Sequence, residues 1–208
     1  MFPTAGGFAP GLPPVRFAAR LLPVYKVELG DGAELRPLEP WQAEEFFAHI
    51  ERARETVDPW IPWASISADL EAARKTLQRY ADKQAHDTGR IYGIWLDDVL
   101  VGGTMFVAFD AQAGNCEIGC WLEPAATGRG LVTKAVRRLV DWALVTRGLH
   151  RVEWHCRPDN TASSNVARRI GMTLDGTLRA SFPWKGVRHD SEIWAILAPE
   201  WPGSAGQW

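Results

Sequence analysis

The stretch Thr127-Gly128-Arg129-Gly130-Leu131-Val132 separates two segments with different hydrophobic periods. Before it, residues 115–122 favour a strand; after it, apolar residues repeat with helical spacing from Leu131 to Leu144, and Gly148 ends the helix. The start of a helix offers unpaired N–H groups and the positive end of the helix dipole. The two glycines leave room for a phosphate group to approach the backbone. The stretch therefore predicts a strand, a turn that can bind an anion, and a helix.

Three other interpretations of this turn rest on the same residues. A loop for a nucleoside triphosphate is disfavoured because the spacing G-x-x-x-x-G-K-[ST] is absent. A dinucleotide fold is disfavoured because the preceding strand follows a hairpin and the third glycine of the fingerprint is missing. An ordinary tight turn at a helix start stays open. Arg129 and Lys134 either add positive charge to the site or are simply solvated.

The flanking sequence predicts the remaining elements. Pro59 and Pro62 separate two helical patterns, and Ser67 is the predicted cap of the second helix. Gly102-Gly103, inside a strand pattern, indicates a bulge or a close approach of two backbones. The predicted elements are, in chain order, a strand at 33–38, helices at about 41–54 and 67–84, strands at 91–96, 99–109 and 115–122, the helix after the turn, a strand at 150–156, a helix at about 160–170, and strands at 173–179 and 191–197.

This order of elements predicts one domain. The chain has 208 residues, enough for one well-buried core and too few for two comfortable ones. The predicted fold class is α/β (α+β), with a mixed, mostly antiparallel sheet flanked by helices. The domain is assigned to residues 31–200 and a tail to 201–208. Residues 1–30 begin with an apolar segment rich in proline and glycine, predicted to be an extended arm that packs on the domain or makes a homodimer possible.

Composition excludes several classes of partner. A formal net charge of −2 gives no reason to expect nucleic acid or an acidic membrane as the main partner. No apolar run approaches the ~18 residues of a membrane span, and the start lacks the basic opening of a secretory signal. The three cysteines, Cys116, Cys120 and Cys156, show no metal-binding spacing. They predict buried thiols in a reducing compartment, hence a cytoplasmic protein without a metal site.

Three more stretches have recognisable composition, namely Trp60-Ile61-Pro62-Trp63, Glu117-Ile118-Gly119-Cys120-Trp121-Leu122, and Asn160-Thr161-Ala162-Ser163 followed by residues 166–172. With the turn, they resemble the GNAT superfamily and, within it, the ribosomal-protein N-terminal acetyltransferases of the Rim type. The corresponding motifs there are W-L-P-W, E-I-G-Y-W-L, N-x-x-S…v-a-x-x-x-G-F and, for pyrophosphate, Q/R-x-x-G-x-G/A. Thr127 and Val132 depart from the pyrophosphate motif, but in such a site the anion is held mainly by backbone N–H groups. The resemblance spans roughly residues 35–197.

The resemblance implies a binding site for acetyl-CoA as co-substrate. The strands around Cys120 and His155 would splay apart, and pantetheine would lie in the gap, paired with the backbone of Cys120, Trp121 and Leu122. An amide near Leu122 would polarise the thioester carbonyl; an ordinary paired strand is the alternative. Asn160 would contact pantetheine or cap its helix. The residues implied to hold the diphosphate are Thr127, Gly128, Arg129, Gly130, Leu131, Val132 and Thr133.

The implied reaction is direct transfer of an acetyl group to a primary amine. Such a transfer needs a base for the amine proton, and Glu117 is the first candidate, with a salt-bridged or solvated role as its alternative. His155, His189 and Asp190 are weaker candidates. Ser163 stands where the Rim-type branch carries a serine, and its hydroxyl is a candidate donor to the departing thiolate. The alternative for Ser163 is a hydrogen bond to its own backbone.

The acceptor is the least defined part of the prediction. Trp60 and Trp63 are predicted to line its mouth, with core packing as the alternative. The acceptor is a protein or peptide N-terminus or a small amine. Two rivals stay open: transfer from another donor such as succinyl-CoA to a small molecule, and a non-catalytic acyl-CoA-binding module. A ping-pong route through Cys120 or Cys156 ranks low because nothing in the sequence places a base beside either thiol.

Overall fold

The computed structural model describes residues 26–203, without the side chains of residues 63 and 64. Its centre is one sheet of eight strands. They are β1 (Val27–Gly30), β2 (Ala33–Pro37), β3 (Arg90–Leu96), β4 (Val99–Asp110), β5 (Asn115–Leu122), β6 (Arg151–Cys156), β7 (Thr173–Trp184) and β8 (Val187–Leu197). The order across the sheet is β1-β2-β3-β4-β5-β6-β8-β7. Only the pair β5–β6 is parallel in this sheet, which confirms the predicted mixed, mostly antiparallel arrangement.

Helices cover the sheet on both sides. They are α1 (Ala43–Val57), α2 (Trp63–Ile66), α3 (Leu70–Ala85), α4 (Leu131–Asp141) and α5 (Thr161–Ile170), and a π-helical turn at Trp142–Thr146 extends α4. Neighbouring side chains of a strand point to opposite faces. Accordingly, Phe106 packs with α4 and α5 in one apolar cluster, whereas Met105 packs with α1 and α3 in another. The fold is thus a single sheet with a hydrophobic core on each face.

Two boundaries differ from the sequence prediction at the second helix and at the start of the chain. Ser67 was predicted to cap the second helix, but this is wrong, because Asp69 accepts the hydrogen bond from the Ala72 amide at 2.8 Å. Ser67 is instead buried, with its hydroxyl 2.9 Å from that of Thr76. No strand was predicted before residue 33, yet β1 pairs with β2 as an edge strand. The rest of the predicted arm, residues 1–25, and the tail from residue 204 lie outside the described residues.

The last hairpin is longer than predicted. β7 continues past residue 179 to Trp184, and β8 begins at Val187 instead of residue 191. A register shift interrupts the pairing between Leu178 and Phe182. The added residues are mostly polar or exposed, so they carry no alternation of apolar and polar side chains from which a strand could be predicted. Either Asp159 or Asn160 was predicted to cap α5, and the cap is Asn160, whose Oδ1 accepts from the Ser163 amide at 3.1 Å.

The two adjacent glycines of β4 allow a close approach, as predicted. A Cβ added at Gly103 would lie 2.2 Å from Cη2 of Trp121, so only glycine leaves space for that indole ring. The ring nitrogen of Trp121 donates to Nε2 of the fully buried His49 at 2.9 Å. Burial lowers the pKa of His49 to about 4, so the imidazole is neutral at physiological pH and can accept this bond. The indole is therefore fixed from both sides on the strand that borders the site.

We expect His49→Ala to lower the free energy of unfolding by about 2–4 kcal/mol, because it leaves a void and removes the hydrogen-bond acceptor of a buried indole. Chemical denaturation of the full chain measures this change. The matched control is His150→Ala, whose side chain is exposed and whose loss should change stability by no more than about 0.5 kcal/mol. Equal effects of the two substitutions would contradict the role given to His49.

The parallel pair β5–β6 opens after three residue pairs. Asn115, Cys116 and Glu117 pair with residues 151–153, and the pairing stops there. Beyond this point β5 stays paired with β4, and β6 stays paired with β8. The two strands diverge, which confirms the predicted splay at the centre of the sheet.

No helix in residues 26–203 is long and apolar enough to cross a membrane.

Candidate active site

A cavity of about 850 Å³ lies where β5 and β6 diverge. It is bordered by the start of α4, by α5, by the α1–α2 connection and by β7. With one exception, the residues predicted to hold acetyl-CoA line it together, namely Cys120, Trp121, Leu122, Thr127, Gly128, Gly130, Leu131, Val132, Thr133, Asn160 and Ser163. The exception is Arg129, which is exposed and is not part of the cavity wall. The predicted donor site is thus assembled at one place.

The turn before α4 has the geometry of an anion site. Gly128 and Gly130 have left-handed φ angles of 81° and 70°, and a Cβ at either would meet no atom within 4 Å. Successive N–H groups around such left-handed residues form a concave surface that attracts anions. The first helical hydrogen bond runs from the Lys134 amide to the Gly130 carbonyl at 3.0 Å. The amides of residues 131–133 precede it and have no intrahelical acceptor.

Side-chain charge contributes little at this turn. Arg129 is exposed and lies outside the cavity wall. The ammonium group of Lys134 lies 3.3 Å from a carboxylate oxygen of Asp31, which offsets its charge. The backbone amides and the dipole of α4 are therefore the groups that fit a diphosphate, and the departures at Thr127 and Val132 leave both intact.

Glu117 lies on the cavity wall at the point of the splay, in a short array of ionisable groups. Its Oε2 is 3.8 Å from Nδ1 of His155, and Nε2 of His155 is 2.8 Å from Oε2 of Glu153. Burial raises the pKa of Glu117, and the nearby imidazole opposes that rise. A carboxylate with a raised pKa that faces a cavity binds a proton more readily than an ordinary one, which suits a general base.

The hydroxyl of Ser163 also faces the cavity, from the first turn of α5. It accepts a hydrogen bond from Nε1 of Trp154 at 2.9 Å, which leaves its own proton for another acceptor. The hydroxyl also lies beside the thiol of Cys156; burial raises the pKa of this thiol, and the hydrogen bond with Ser163 opposes that rise. Ser163 is thus a polar donor in a mostly apolar part of the wall.

Both thiols in the cavity wall are protonated at neutral pH. Burial raises the pKa of Cys120 to about 12. Burial also raises the pKa of Cys156 to about 11, and the carboxylate of Glu192, 3.8 Å from its sulfur, raises it further. Only a thiolate is an effective nucleophile. Neither cysteine is therefore prepared to carry an acyl group.

The other side of the cavity holds the predicted acceptor mouth. Trp60 lines it, and the guanidinium of Arg157 stacks 5.0 Å above the Trp60 ring. The side chain of Trp63 lies outside the described part of the chain. Of the weaker base candidates, His155 lines the cavity, whereas His189 and Asp190 do not.

Sequence reasoning missed the part of the wall that comes from β7. Leu178 and Phe182 line the cavity, together with Tyr80 from α3 and Arg157 from the end of β6. The apolar side chains of Leu178 and Phe182 are only a weak indication that these two positions line a cavity. The predicted strand ended at residue 179, between them. Arg157 lay in a segment interpreted only as the end of a strand.

Comparisons with known proteins agree with this geometry. Residues 33–173 match the family model described as an Acetyltransferase (GNAT) domain. A probable N-acetyltransferase, YjcK of Bacillus subtilis (strain 168), is 32% identical over 178 residues, which cover 82% of this chain and 97% of the relative. The ribosomal-protein-serine acetyltransferase of Escherichia coli (strain K12) is 24% identical over 171 residues, covering 82% of this chain and 96% of the relative.

A solved structure is similar along most of its length. Mycobacterium smegmatis RimJ in complex with CoA-disulfide has a TM-score of 0.76 and 25% sequence identity, and the match covers 83% of this chain and 85% of that one. The family model, the B. subtilis relative and the shared fold confirm the resemblance found in the motifs. The chain therefore belongs to the GNAT acetyltransferase family and is an acetyl-CoA-dependent N-acetyltransferase.

Proposed function

We propose that the protein transfers an acetyl group directly from acetyl-CoA to the N-terminal α-amine of a peptide or protein. The observation that carries the proposal is the meeting, in one cavity, of the turn before α4, the carboxylate of Glu117 and a wall on the opposite side with room for an acceptor. The name of the E. coli relative, a ribosomal-protein-serine acetyltransferase, supports a peptide acceptor.

The donor would be held by backbone groups. Amides from residue 128 to residue 133 fit the diphosphate. The pairing of β5 with β6 ends at Glu117, so pantetheine would lie along residues 120–122 in the gap between the two strands. An N–H group near Leu122 would stabilise the negative charge that develops on the thioester oxygen. The side-chain oxygen of Asn160 caps α5, and the NH2 group of the same side chain would contact acetyl-CoA.

Glu117 is proposed as the base. The neutral amine attacks the thioester carbon, the C–N bond forms, and the C–S bond breaks with its electron pair leaving on sulfur. The amine proton passes to the Glu117 carboxylate, directly or through a water molecule. His155 contacts both Glu117 and Glu153, so the proton can move on towards the protein surface.

Ser163 is proposed to donate its hydroxyl hydrogen bond to the departing thiolate. Trp154 Nε1 occupies one lone pair of the Ser163 oxygen and so orients the hydroxyl. The high pKa values of Cys120 and Cys156 support direct transfer over a covalent acyl-enzyme, because an acyl-cysteine route requires a thiolate.

Release of CoA thiol from acetyl-CoA tests this function. We expect release with short peptides that have a free α-amine and none with the same peptides after N-terminal blocking. Succinyl-CoA in place of acetyl-CoA tests the donor, and a set of small amines tests the acceptor class. Faster turnover with succinyl-CoA would contradict acetyl-CoA as the donor. Turnover with small amines alone would contradict a peptide or protein acceptor. Tight binding of CoA without consumption by any acceptor would indicate a binding module instead.

Cytoplasmic location and homodimer formation also belong to the proposal. Free thiols at all three cysteines support a reducing compartment. The segment expected to promote dimer formation lies outside the described residues. Size-exclusion chromatography with light scattering would measure the state of the full chain.

A further inference from the structure

The half of the cavity opposite the diphosphate turn is built from apolar side chains. They come from the α1–α2 connection, from α3, from β4 and from β7, and the principal ones are Trp60, Ile61, Met105, Val107, Leu178 and Phe182. The hydroxyl of Tyr80, a polar atom in this wall, donates to the thioether sulfur of Met105 at 2.9 Å. The hydroxyl proton of Tyr80 is therefore used within the wall.

Four side chains of the cavity wall can carry a formal charge, namely Glu117, His155, Arg157 and Arg169. Arg169 lies on α5 beside α4, where its carbonyl accepts from Arg137. Glu117 provides a carboxylate beside the splay, and Arg157 provides a cation whose charge is offset by the carboxylate of Asp159 at 2.5 Å. Arg157 also donates to the Pro59 carbonyl at 3.3 Å and covers the Trp60 ring. An acceptor carboxylate next to β7 would thus meet the Glu117 carboxylate, an imidazole already placed between Glu117 and Glu153, and a cation already paired with Asp159. Burying it there would be unfavourable.

A bulge in β7 shapes this wall. Between the pairs Leu178–Ser191 and Phe182–His189, β7 contains two more residues than β8. In a regular strand, residues 178 and 181 would point to opposite faces, but both line the cavity here, together with residue 182. The φ angle of Ala180 is 52°, in the left-handed region, and the Asp190 carboxylate accepts from its amide at 2.8 Å. Asp190 thus holds the bulge in place, although it does not itself line the cavity.

The tip of this hairpin is fixed across the cavity mouth. The indole nitrogen of Trp184 donates to the Asp58 carbonyl at 3.1 Å, and the ammonium group of Lys185 lies 2.6 Å from the Asp58 carboxylate. The bulge and the α1–α2 connection are therefore held together as two sides of one preformed pocket.

From these contacts we infer that the acceptor site selects amines whose neighbouring group is bulky, apolar and uncharged, and that the β7 bulge provides this selectivity. For a peptide acceptor, the first residue would be of the type Phe or Leu, and an acidic first residue would be excluded. The inference rests on the proposed function and names the class of its acceptor.

A panel of acceptors X-Ala-Ala-amide, with Phe, Leu, Gly or Asp as X, tests the inference at saturating acetyl-CoA. We expect kcat/KM for Phe to exceed that for Asp by at least about tenfold. Phe182→Ala should reduce this ratio severalfold while KM for acetyl-CoA stays unchanged. Leu178→Ala, at a half-exposed position, provides a second variant that is compatible with folding. Leu174→Ala is the control, since Leu174 is exposed on the same strand and outside the cavity wall.

An Asp acceptor as good as Phe, or a uniform loss with all acceptors in Phe182→Ala, would overturn the inference. Failure of the proposed function looks different, because no acceptor would then release thiol from acetyl-CoA. Turnover limited to acidic acceptors would keep the function and overturn the selectivity.

Discussion

Replacing Glu117 by Gln is expected to lower kcat by about 10²- to 10⁴-fold, the usual contribution of general base catalysis. Gln has nearly the same shape and can still fill this place in the cavity wall, but it cannot take up the amine proton. The affinity for CoA should stay unchanged, because the diphosphate turn lies on a different element. Initial rates at saturating acetyl-CoA, together with calorimetry of CoA binding, measure the two quantities separately.

The pH profile gives the same substitution a second, independent outcome. In the wild type, kcat should rise with pH as Glu117 loses its proton, and burial places this rise above the usual carboxylate range because it raises the pKa of Glu117. Glu117→Gln should lack that rise. Glu153→Gln is the matched control, since Glu153 also contacts His155 but does not line the cavity. A profile of Glu117→Gln that still follows the wild type would exclude Glu117 as the base.

Stability distinguishes a catalytic loss from misfolding. A carboxyl group whose pKa is higher in the folded state destabilises the fold once it ionises. The stability that the neutral form contributes is fully present below the pKa of the group in the unfolded state. It is lost as pH rises through the pKa of the group in the folded state. Glu117→Gln removes this loss, so the variant should be at least as stable as the wild type at neutral pH. A less stable variant would point to a structural role instead.

The sequence predicts the donor half of the site well because that half is local. The turn, its two glycines and the strongly amphipathic helix that follows are contiguous, and amides from one helix start point the same way. The splay was implied by family resemblance, and the register of β5 with β6 confirms it at Glu117. Backbone groups also tolerate substitution, so the departures at Thr127 and Val132 did not mislead the assignment.

The acceptor half was predicted poorly because it depends on contacts between distant segments. Arg157 lies 98 residues from the Pro59 carbonyl that it contacts, and Trp184 lies 126 residues from Asp58. The bulge around Ala180 breaks the period of two on which strand prediction depends. The continuation of β7 past residue 179 and its inward side chains could therefore not be inferred. The four-residue β1 was missed for a related reason, since it is too short to show a period.

Replacing Gly130 by Val is expected to raise the Kd for CoA about 100-fold. The new Cβ would point into open space at the helix start, where the diphosphate is expected to approach the amides. A β-branched residue also resists the φ of 70° at this position, so the turn would relax and move its N–H groups. Each hydrogen bond to a charged group contributes about 1.5–3 kcal/mol, and about 1.4 kcal/mol corresponds to tenfold in Kd. Weakening one or two such bonds gives the expected loss.

Gly148→Val is a closely matched control for this effect. Gly148 has a φ of 69°, and a Cβ there also meets no atom within 4 Å. It differs from Gly130 in that it follows the π-helical turn that extends α4 and does not line the cavity. Both substitutions impose the same backbone strain, of about 1–2 kcal/mol, so both should lower the melting temperature to a similar extent. Only Gly130→Val should weaken CoA binding in calorimetry. Comparable weakening in both variants would attribute the loss to general destabilisation, and wild-type affinity in Gly130→Val would mean that the turn before α4 does not hold the diphosphate.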